Sequence, residues 1–569
     1  MIPGTTTLAT WSVATLPLAH AVADPLQLLL ADPDAELLFV LAAYPQPLAG
    51  LDSDFPYALA TEPLAALDEA EEGEDHTILL SDRGYTTGAD EDPPHRHFPP
   101  RLATAFNFES AIPRPGRDDP ATLSYGEIRI ANGDRAYDHL LDYSWTGRRV
   151  DLLVGGTLKP RRHGERRLKF HEFGTMFRGT VEAIEADDTS LRLTMRDPAA
   201  RLERVPPRTL FAGTGGLEGG EDLDGLAKPI GWGRNRNVPP VQLDAVDLVY
   251  MLSAGPIQAV LAVRDKGISL GFAGDHADLA ALLSASLAPG DYATCLALGV
   301  LRLGAPPGGR VTADFEGDIS SGYPDTAAAI VRRLATLYGG FVDPDEIDAA
   351  AFAGLAAPQA MHLWLGPQDG RTIDQLIRTL MDSVEGWVGF TRDGRLTLGL
   401  HRPPEVESAT TDIEAADEIG RSLAIVQSED PVWRARIGYD GLELVQSADE
   451  LAEGVAAEER AYYGRAHRFA PYVDSVVEGL HARPRDVERA TQIDDPADAA
   501  DLARTIVLRD GQIRRVWSLD VARGLLRFRP GAVVRLTSPR YGLGSGRPLR
   551  VMRVVERANM RTVRLDLWG

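Results

Sequence analysis

The chain of 569 residues carries 59 Lys and Arg against 83 Asp and Glu, a formal net charge of −24. A surface this acidic repels phosphate backbones and anionic lipid headgroups, which disfavours sequence-specific nucleic-acid binding and stable membrane binding. The single cysteine, Cys295, excludes an internal disulfide and a multi-cysteine zinc site, and its mostly apolar neighbours predict a small buried side chain. At roughly 150 residues per domain the length predicts about four domains, and 55 Gly with 39 Pro predict many turns and short strands.

The first hundred residues alternate short apolar runs with prolines. Two runs, Leu26–Leu30 and Leu37–Ala43, predict buried strands bounded by Asp-Pro turns, and the acidic stretch 64–75 predicts a short helix or a solvated loop. The first residues lack a basic region followed by an apolar block, so they are not typical of a secretion signal. No uninterrupted apolar run is long enough to span a bilayer. We therefore expect a protein that is made in the cytoplasm and is not inserted into a membrane.

A clearer β unit extends from 101 to 204. Its segments alternate apolar and polar residues with period two, which predicts an antiparallel sheet or a small barrel. The segments Gly179–Glu185 and Ser190–Arg196 are separated by a short polar turn and predict a hairpin. The glycine-rich segment 213–225 predicts a linker, and the residues after it predict a second β region that is interrupted by a short helix near 278–286.

Helical periodicity appears in the middle of the chain. Asp325–Tyr338 and Thr372–Val384 place apolar residues at helical spacing, and the hairpin that follows completes a compact α+β unit over 321–402. The remaining residues predict strands and one helix over Pro496–Leu508. Asp495 is expected to cap that helix, and Pro496 to occupy its first position, where proline is tolerated.

Two hairpins in the chain resemble each other. The first combines Phe177–Ala186 with Leu191–Met195, and the second combines Leu549–Ala558 with Val563–Trp568. Each has an alternating strand, a glutamate at the strand end, a polar turn and a returning Val/Leu-Arg-Leu strand. Two interpretations are open: generic hairpin chemistry, or two copies of one barrel separated by inserted domains. Under the second interpretation, a ring of three chains would present six equivalent barrels.

The sequence contains few candidates for catalysis or metal binding. His95 and His97 have the spacing of two residues on one strand face and could hold a metal, but no third ligand is identifiable and the surrounding prolines predict a loop. The glycines of 213–225 are followed by acidic residues rather than by Gly-Lys-Ser/Thr, so a phosphate-binding loop is disfavoured. Among 83 acids, a pair of glycosidase carboxylates cannot be recognised. We predict no catalytic, cofactor-binding or metal-binding residue, no cofactor and no enzymatic activity.

Several segments resemble the tail hub and tail-tip (baseplate) proteins of long-tailed bacteriophages and gene transfer agents. The C-terminal segments Pro530–Leu543, Arg550–Glu556 and Leu565–Gly569 are similar to the end of such hub proteins, and so is Gly366–Ile377 with its following hairpin. The segments Lys228–Val241 and Gly255–Val260 are also similar to tail-tip proteins. The domains that hold these segments make up half to two thirds of the chain, and the first hundred residues fit the family least well.

The resemblance implies a mainly β, multi-domain fold with an α+β insert, in which two tail-tube-like β-barrels flank inserted domains. We predict an N-terminal β-rich domain over 1–100, a first barrel over 101–210, a second β-rich domain over 211–320, an α+β domain over 321–405, and a C-terminal barrel with a helical insert over 406–569.

In function, the resemblance implies a homotrimeric hub in the virion, at the tip of the tail, that is assembled in the host cytoplasm and forms a channel for DNA ejection. Its expected partners are a distal tail protein, the tape measure protein, and tail fibre or receptor-binding proteins. A distal tail ring protein and a tail-associated cell-wall hydrolase are the alternatives. If the chain lines a DNA channel, its excess acid is expected to face the lumen and to keep DNA from adhering.

Overall fold

The computed structural model describes residues 24–31, 35–43, 46–47, 77–103, 107–117, 122–158, 166–196, 198–557 and 561–569, so the prediction for 64–75 lies outside the described residues. The helices within these ranges are α1 (Pro25–Ala31), α2 (Leu279–Ser284), α3 (Ala327–Leu337), α4 (Ala349–Gly354), α5 (Ile373–Asp382), α6 (Ala457–Tyr463), α7 (Ser475–Leu480) and α8 (Pro496–Asp510). None of these helices is long and apolar enough to cross a membrane.

The N-terminal third is built of strands. They are β1 (Glu36–Ala43), β2 (Gln46–Pro47), β3 (Ile78–Ser81), β4 (Tyr85–Thr86), β5 (His97–Phe98), β6 (Asn107–Ala111), β7 (Thr122–Ser124), β8 (Glu127–Ala131), β9 (Tyr143–Ser144), β10 (Arg149–Leu158), β11 (Arg166–Arg167), β12 (Gly174–Ala186) and β13 (Ser190–Arg196). Six of them form the path β3-β1-β10-β12-β13-β8, called here the first sheet, and β11 pairs with β10. Antiparallel pairing curls this path into an open half-barrel around apolar side chains.

The middle third contains β14 (Ile230–Trp232), β15 (Arg234–Val238), β16 (Val241–Asp244), β17 (Val249–Met251), β18 (Ile257–Asp265), β19 (Ile268–Ser269), β20 (Gly271–Asp275), β21 (Asp291–Cys295), β22 (Val300–Leu303), β23 (Val311–Asp318), β24 (Leu363–Leu365), β25 (Gly386–Phe390) and β26 (Leu396–Leu400). Most of these strands form two small sheets, β15-β23-β18-β19 and β16-β17-β22-β21-β20. Cys295 is buried, as predicted, and burial raises the pKa of its thiol.

The C-terminal third contains β27 (Thr411–Ile413), β28 (Ala424–Glu429), β29 (Val432–Tyr439), β30 (Arg468–Val473), β31 (Arg485–Ala490), β32 (Arg514–Ala522), β33 (Val533–Leu536), β34 (Arg547–Arg557) and β35 (Thr562–Trp568). The path β27-β33-β34-β35-β32-β28 forms the second sheet, and β30-β29-β31 forms a separate small sheet. The alternation of buried and half-buried residues along β34 and β35 shows the period of two that the sequence predicts.

The helices of the middle and C-terminal thirds share one apolar core. Leu334 of α3, Leu376 of α5 and Ile506 of α8 are all buried in it, together with Ile437 of β29. The predicted cap of α8 is confirmed, since a carboxylate oxygen of Asp495 accepts a hydrogen bond of 2.7 Å from the second residue of the helix. The predicted helical insert therefore packs on the α+β unit rather than standing apart from it.

One predicted strand is wrong. Leu26–Leu30 lies in the helix α1. Asp24 accepts a hydrogen bond of 2.9 Å from the backbone of Leu26, and Pro25 occupies the first helical position. An aspartate followed by a proline is a helix start, and the apolar run alone does not distinguish a buried strand from a buried helix.

The glycine-rich segment 213–225 is packed, rather than a free linker. It forms two short 3₁₀ turns, and Leu217 and Leu223 pack against the core beneath β17. Its carboxylate Glu218 accepts a hydrogen bond of 2.7 Å from Lys228 and one of 3.1 Å from the backbone of Ala212. These contacts hold the segment on its own domain.

The predicted fold class is confirmed: the chain is mainly β and multi-domain, with two barrel-like sheets and an α+β insert. The domain boundaries themselves stay a prediction. The described part of 1–100 contributes β1 and β3 to the first sheet, where Val40 of β1 lies opposite Leu153 of β10. This segment therefore shares a sheet with 101–210.

Candidate assembly interface

The first and second sheets repeat the same strand pairings. In the first sheet Arg149 of β10 lies opposite Thr180 of β12, and in the second Val533 of β33 lies opposite Arg550 of β34. The next three pairs of each sheet follow in the same order. The two ladders can therefore be aligned over four consecutive pairs. Because any antiparallel ladder follows this order, features beyond the ladder must decide whether the two units are copies.

The hairpins at the centre of the two sheets also share a bulge. The register of β12 against β13 shifts directly after Val181, and that of β34 against β35 shifts directly after Val551. Each shift lies one residue beyond Thr180 or Arg550, at the same place in the repeat. Because a bulge is a specific feature that bends its strand, a matched bulge favours two copies of one unit over two unrelated hairpins.

The outer strand extends the match. Ser190 of β13 lies opposite Ala131 of β8, as Thr562 of β35 lies opposite Ala522 of β32. The alignment of the two hairpins by sequence agrees with the structure for the returning strands, β13 and β35. For the leading strands, β12 and β34, it is displaced by two residues, because the structure aligns Phe177 with Arg547 rather than with Leu549. A displacement of two keeps the same face inward, so the alternation could not reveal it.

The two units are joined through backbone pairing. Strand β6 lies in the chain between β3 and β8 of the first sheet, but it pairs with the second sheet, with Ala111 opposite Arg553 and Asn107 opposite Arg557. The two sheets share one continuous apolar core that includes Phe177 of the first and Leu565 of the second. The half-barrels are therefore parts of one folded body.

An arginine whose side chain is 16% exposed locks the α+β insert onto this junction. Arg392, in the turn between β25 and β26, donates a hydrogen bond of 2.7 Å to the fully buried carboxylate of Glu556 in β34. The same guanidinium donates to the carbonyl of Met176 in β12 at 3.3 Å, and the carbonyl of Arg392 accepts from the backbone of Arg178 at 2.8 Å. Leu526 donates its backbone N–H to Glu556 at 2.9 Å. One side chain thus connects the insert with both sheets.

A second buried ionic cluster lies between α8 and the α+β unit. The guanidinium of Arg509 donates to Glu385 at 2.6 Å and to Asp510 at 2.6 and 2.9 Å, and Arg489 also contacts Glu385. Burial alone would raise the pKa of Glu385, but the charges of Arg509 and Arg489 outweigh burial and lower that pKa to about 2. Burial, reinforced by Arg509, lowers the pKa of the adjacent His401 to about 3. The cluster therefore keeps the carboxylate of Glu385 charged and the imidazole of His401 neutral.

The solvent-facing sides of the two sheets carry arginines interleaved with carboxylates. In the first sheet Arg192 lies 2.8 Å from Glu127 and 3.4 Å from Glu185. In the second sheet Arg553 lies 2.8 Å from Glu109. Exposed pairs of this kind contribute little to stability, but they offset the charges of Arg192 and Arg553.

The candidate metal ligands are not brought together into a site. His95 and His97 are exposed, and Nδ1 of His97 lies 2.9 Å from the hydroxyl of Thr86. Across the ranges that the structure describes, no group of three or more His, Cys, Asp or Glu side chains could hold a metal.

No protein-family model matches the chain, and no curated protein matches its sequence. Among solved structures, the chain is similar to the tail protein from Neisseria meningitidis MC58, with 12% identity and a TM-score of 0.35 over 82% of this chain and 91% of that chain. It is similar to the 43 kDa tail protein of prophage MuSo2 from Shewanella oneidensis, with 8% identity and a TM-score of 0.31 over 82% and 92% of the two chains.

A third similarity is to a chain in the virion of a native gene transfer agent particle, with 17% identity and a TM-score of 0.38 over 64% of this chain and 87% of that chain. Two of these structures are thus described as tail proteins, and one belongs to a gene transfer agent virion. Because their TM-scores lie below 0.5, the functional argument rests on the chain's own residues and geometry.

The buried charges of the junction are not recognisable in the sequence. Arg392 lies in a polar turn typical of a solvated hairpin, Glu385 stands at the end of a predicted helix next to Gly386, and Arg509 stands next to Asp510. The one available signal was the glutamate at the end of each repeated strand. It is buried at Glu556 but exposed at Glu185, so even this signal did not separate a structural glutamate from a surface one.

The junction predicts a large penalty for removing Arg392. In R392M the carboxylate of Glu556 stays buried without its cation, so we expect the free energy of unfolding to fall by about 3–5 kcal/mol. Chemical denaturation monitored by tryptophan fluorescence measures this loss. The matched control is R395M on the same turn, where the side chain is 45% exposed and pairs with Asp393, and where we expect a change of at most about 1 kcal/mol. Equal losses in the two variants would contradict the locking role.

The neutral His401 predicts a specific acid sensitivity. The unfolded chain binds a proton at this residue below about pH 6.5, whereas the folded chain does not until about pH 3. Stability from this residue is therefore fully present above pH 6.5 and is lost progressively as the pH falls towards 3. In H401L the loss between pH 6.5 and 5 should be smaller than in the wild type, as measured by denaturation midpoints across pH. H139L, at an exposed histidine, should retain the wild-type slope.

Proposed function

We propose that this chain is the structural hub at the tip of a phage-like tail, where three copies form a ring of six barrel-like units. The observation that carries the proposal is the register-matched repeat of two half-barrels joined by the pairing of β6 with β34. A chain that holds two copies of one unit side by side converts a three-fold assembly into a pseudo-six-fold one. Such a ring can join a six-fold tail tube to a three-fold tip.

The rigidity of the junction supports this role. A hub transmits load between the tube and the tip, so its inserted domains must not swing freely on the ring. Arg392 and Glu556 fix the α+β insert to both sheets, and the cluster around Glu385 and Arg509 fixes α8 to that insert. We propose that the ring contacts the distal tail protein and the tape measure protein, and that the inserted domains face the tail fibre or receptor-binding proteins.

We further propose a structural, non-enzymatic role in the virion, with a central channel through which DNA is ejected. Two arginines on the sheet faces, Arg192 and Arg553, are paired with Glu127 and Glu109. This pairing suits such a channel because it makes these guanidinium groups less available to neutralise DNA phosphates. That the excess acid of the chain faces the lumen stays a prediction about the assembled ring.

The proposal predicts a trimer. Mass photometry of the purified chain should show a species of three times the mass of one chain, and negative-stain images should show a ring with three-fold or pseudo-six-fold symmetry. A two-fold or six-fold ring of chains would instead indicate a distal tail protein, and a chain that remains monomeric both in isolation and in purified particles would contradict the proposal.

A further inference from the structure

The first sheet has an open edge at the position where the second sheet has a partner. Over 553–557, the side of β34 that faces away from β35 is covered by β6. Over the equivalent residues 183–187, the side of β12 that faces away from β13 has no strand beside it in the part of the chain that the structure describes. An edge of this kind presents backbone N–H and C=O groups to an incoming strand.

A complementary open edge lies on β28, the outermost strand of the second sheet. Its pairing matches that of β6: Ser428 lies opposite Arg515, as Glu109 lies opposite Ser124, and the next pair of each follows. In the repeat, β32 corresponds to the path from β7 to β8, so β28 occupies in the second unit the place that β6 occupies in the first. Within the described residues, however, only β6 also pairs with the other unit.

The pairing of the two units is also irregular at the same place. Gly126, between β7 and β8, has a φ of +67° and interrupts the path. The register of β28 against β32 shifts between Ile425 and Gln427, at the equivalent position. Val426, at this bulge, is 58% exposed. Val426 therefore presents an apolar side chain at the edge of β28.

We propose that β28 of one chain pairs antiparallel with the open edge of β12 in a second copy of the chain. This inference rests on the proposed trimer and gives its contact a residue-level register. Transferring the pairing of β6 with β34 sets these residues opposite each other between chains: Ala183 and Asp430, Ile184 and Glu429, Glu185 and Ser428, Ala186 and Gln427, Asp187 and Val426.

The register is chemically compatible, because no carboxylate lies opposite another carboxylate. Repetition of the contact around three chains would alternate the within-chain pairing of β6 and β34 with the between-chain pairing of β28 and β12. Every barrel-to-barrel contact in the ring would then be a strand added to a sheet edge, and no copy of these edges would remain open.

A disulfide tests the register directly. Opposite residues of antiparallel strands have Cα atoms about 4.5–5.5 Å apart, within the span of a disulfide of about 4.4–6.8 Å. The double variant E185C/S428C should therefore form disulfide-linked trimers on oxidation, seen by non-reducing electrophoresis. The matched control E185C/Q427C displaces the second cysteine by one residue onto the opposite face and should not form them. The native Cys295 is buried and does not compete.

A charge placed in the interface provides a second test. In the proposed register Val426 faces Asp187, whose pKa is lowered to about 2 by hydrogen bonds from the turn residues Thr189 and Ser190. V426D therefore places a second carboxylate opposite that of Asp187, and the repulsion between them should weaken trimer formation roughly tenfold or more. V476D, at another exposed valine on α7 with 66% exposure, should leave the trimer unchanged. Unfolding temperatures of both variants should stay near the wild-type value, because both side chains are exposed.

The outcomes separate this inference from the proposed function. Two results would overturn the register and leave the hub proposal standing. In the first, mass photometry shows trimers but E185C/S428C forms no disulfide. In the second, E185C/S428C and E185C/Q427C form disulfide-linked trimers equally. Loss of the trimer in V476D but not in V426D would also overturn the register. A chain that forms no trimer in solution or in particles would overturn the hub proposal and, with it, the strand pairing.

Discussion

The backbone hydrogen bonds between β6 and β34 connect residues that lie far apart in the chain. Arg553 and Glu109, which meet across this pairing, are separated by 444 positions. Once β6 is added to the second sheet, the apolar faces of the two units must close on one core, because Phe108 of β6 and Val554 of β34 are buried in the same cluster. The domains inserted between the two units are then held at both ends of the inserted segment.

The inserted domains meet this constraint with buried charge. Burying an ion pair costs desolvation, so such a pair adds little net stability, but breaking one is expensive because the remaining charge has no partner. Arg392 therefore acts less as a source of stability than as a specification of where the turn between β25 and β26 must lie. The same logic applies to Glu385 and Arg509, which define how α8 meets the α+β unit.

The duplication also connects folding with assembly. A single sheet with an open edge risks uncontrolled pairing with other chains. Here one such edge is covered within the chain by β6, and the corresponding edge of β12 has no strand beside it among the described residues. If a neighbouring chain supplies β28, the contact used inside the chain is reused between chains, and assembly needs no new kind of interface. The alternation of the two contacts would end at a closed ring, which limits growth.

Much of the local structure follows from the sequence. The period of two along β12, β13 and β34 predicted their strands, the apolar stripe of α5 predicted its helix, and Asp495 with Pro496 predicted the start of α8, because these signals depend on neighbours a few residues away. The repeated hairpin was visible as well, but its alignment was displaced by two residues in the leading strand. The apolar run in α1 was misread as a strand, because a short apolar run has no period that separates the two.

Tertiary structure alone decided the rest. Alternation along a strand shows which face is inward, but it does not show which strand pairs with each edge. The residues Asn107–Ala111 therefore do not indicate that β6 pairs with the second sheet. The burial of Arg392 and Glu556 likewise depends on three distant segments closing around them, and a charged residue in a sequence is by default exposed. The sequence by itself thus determined most of the strands and helices, and the similarity of the two repeated hairpins. Only the tertiary structure decided which edges are joined and which are open, because edge pairing is a long-range choice that local periodicity does not encode.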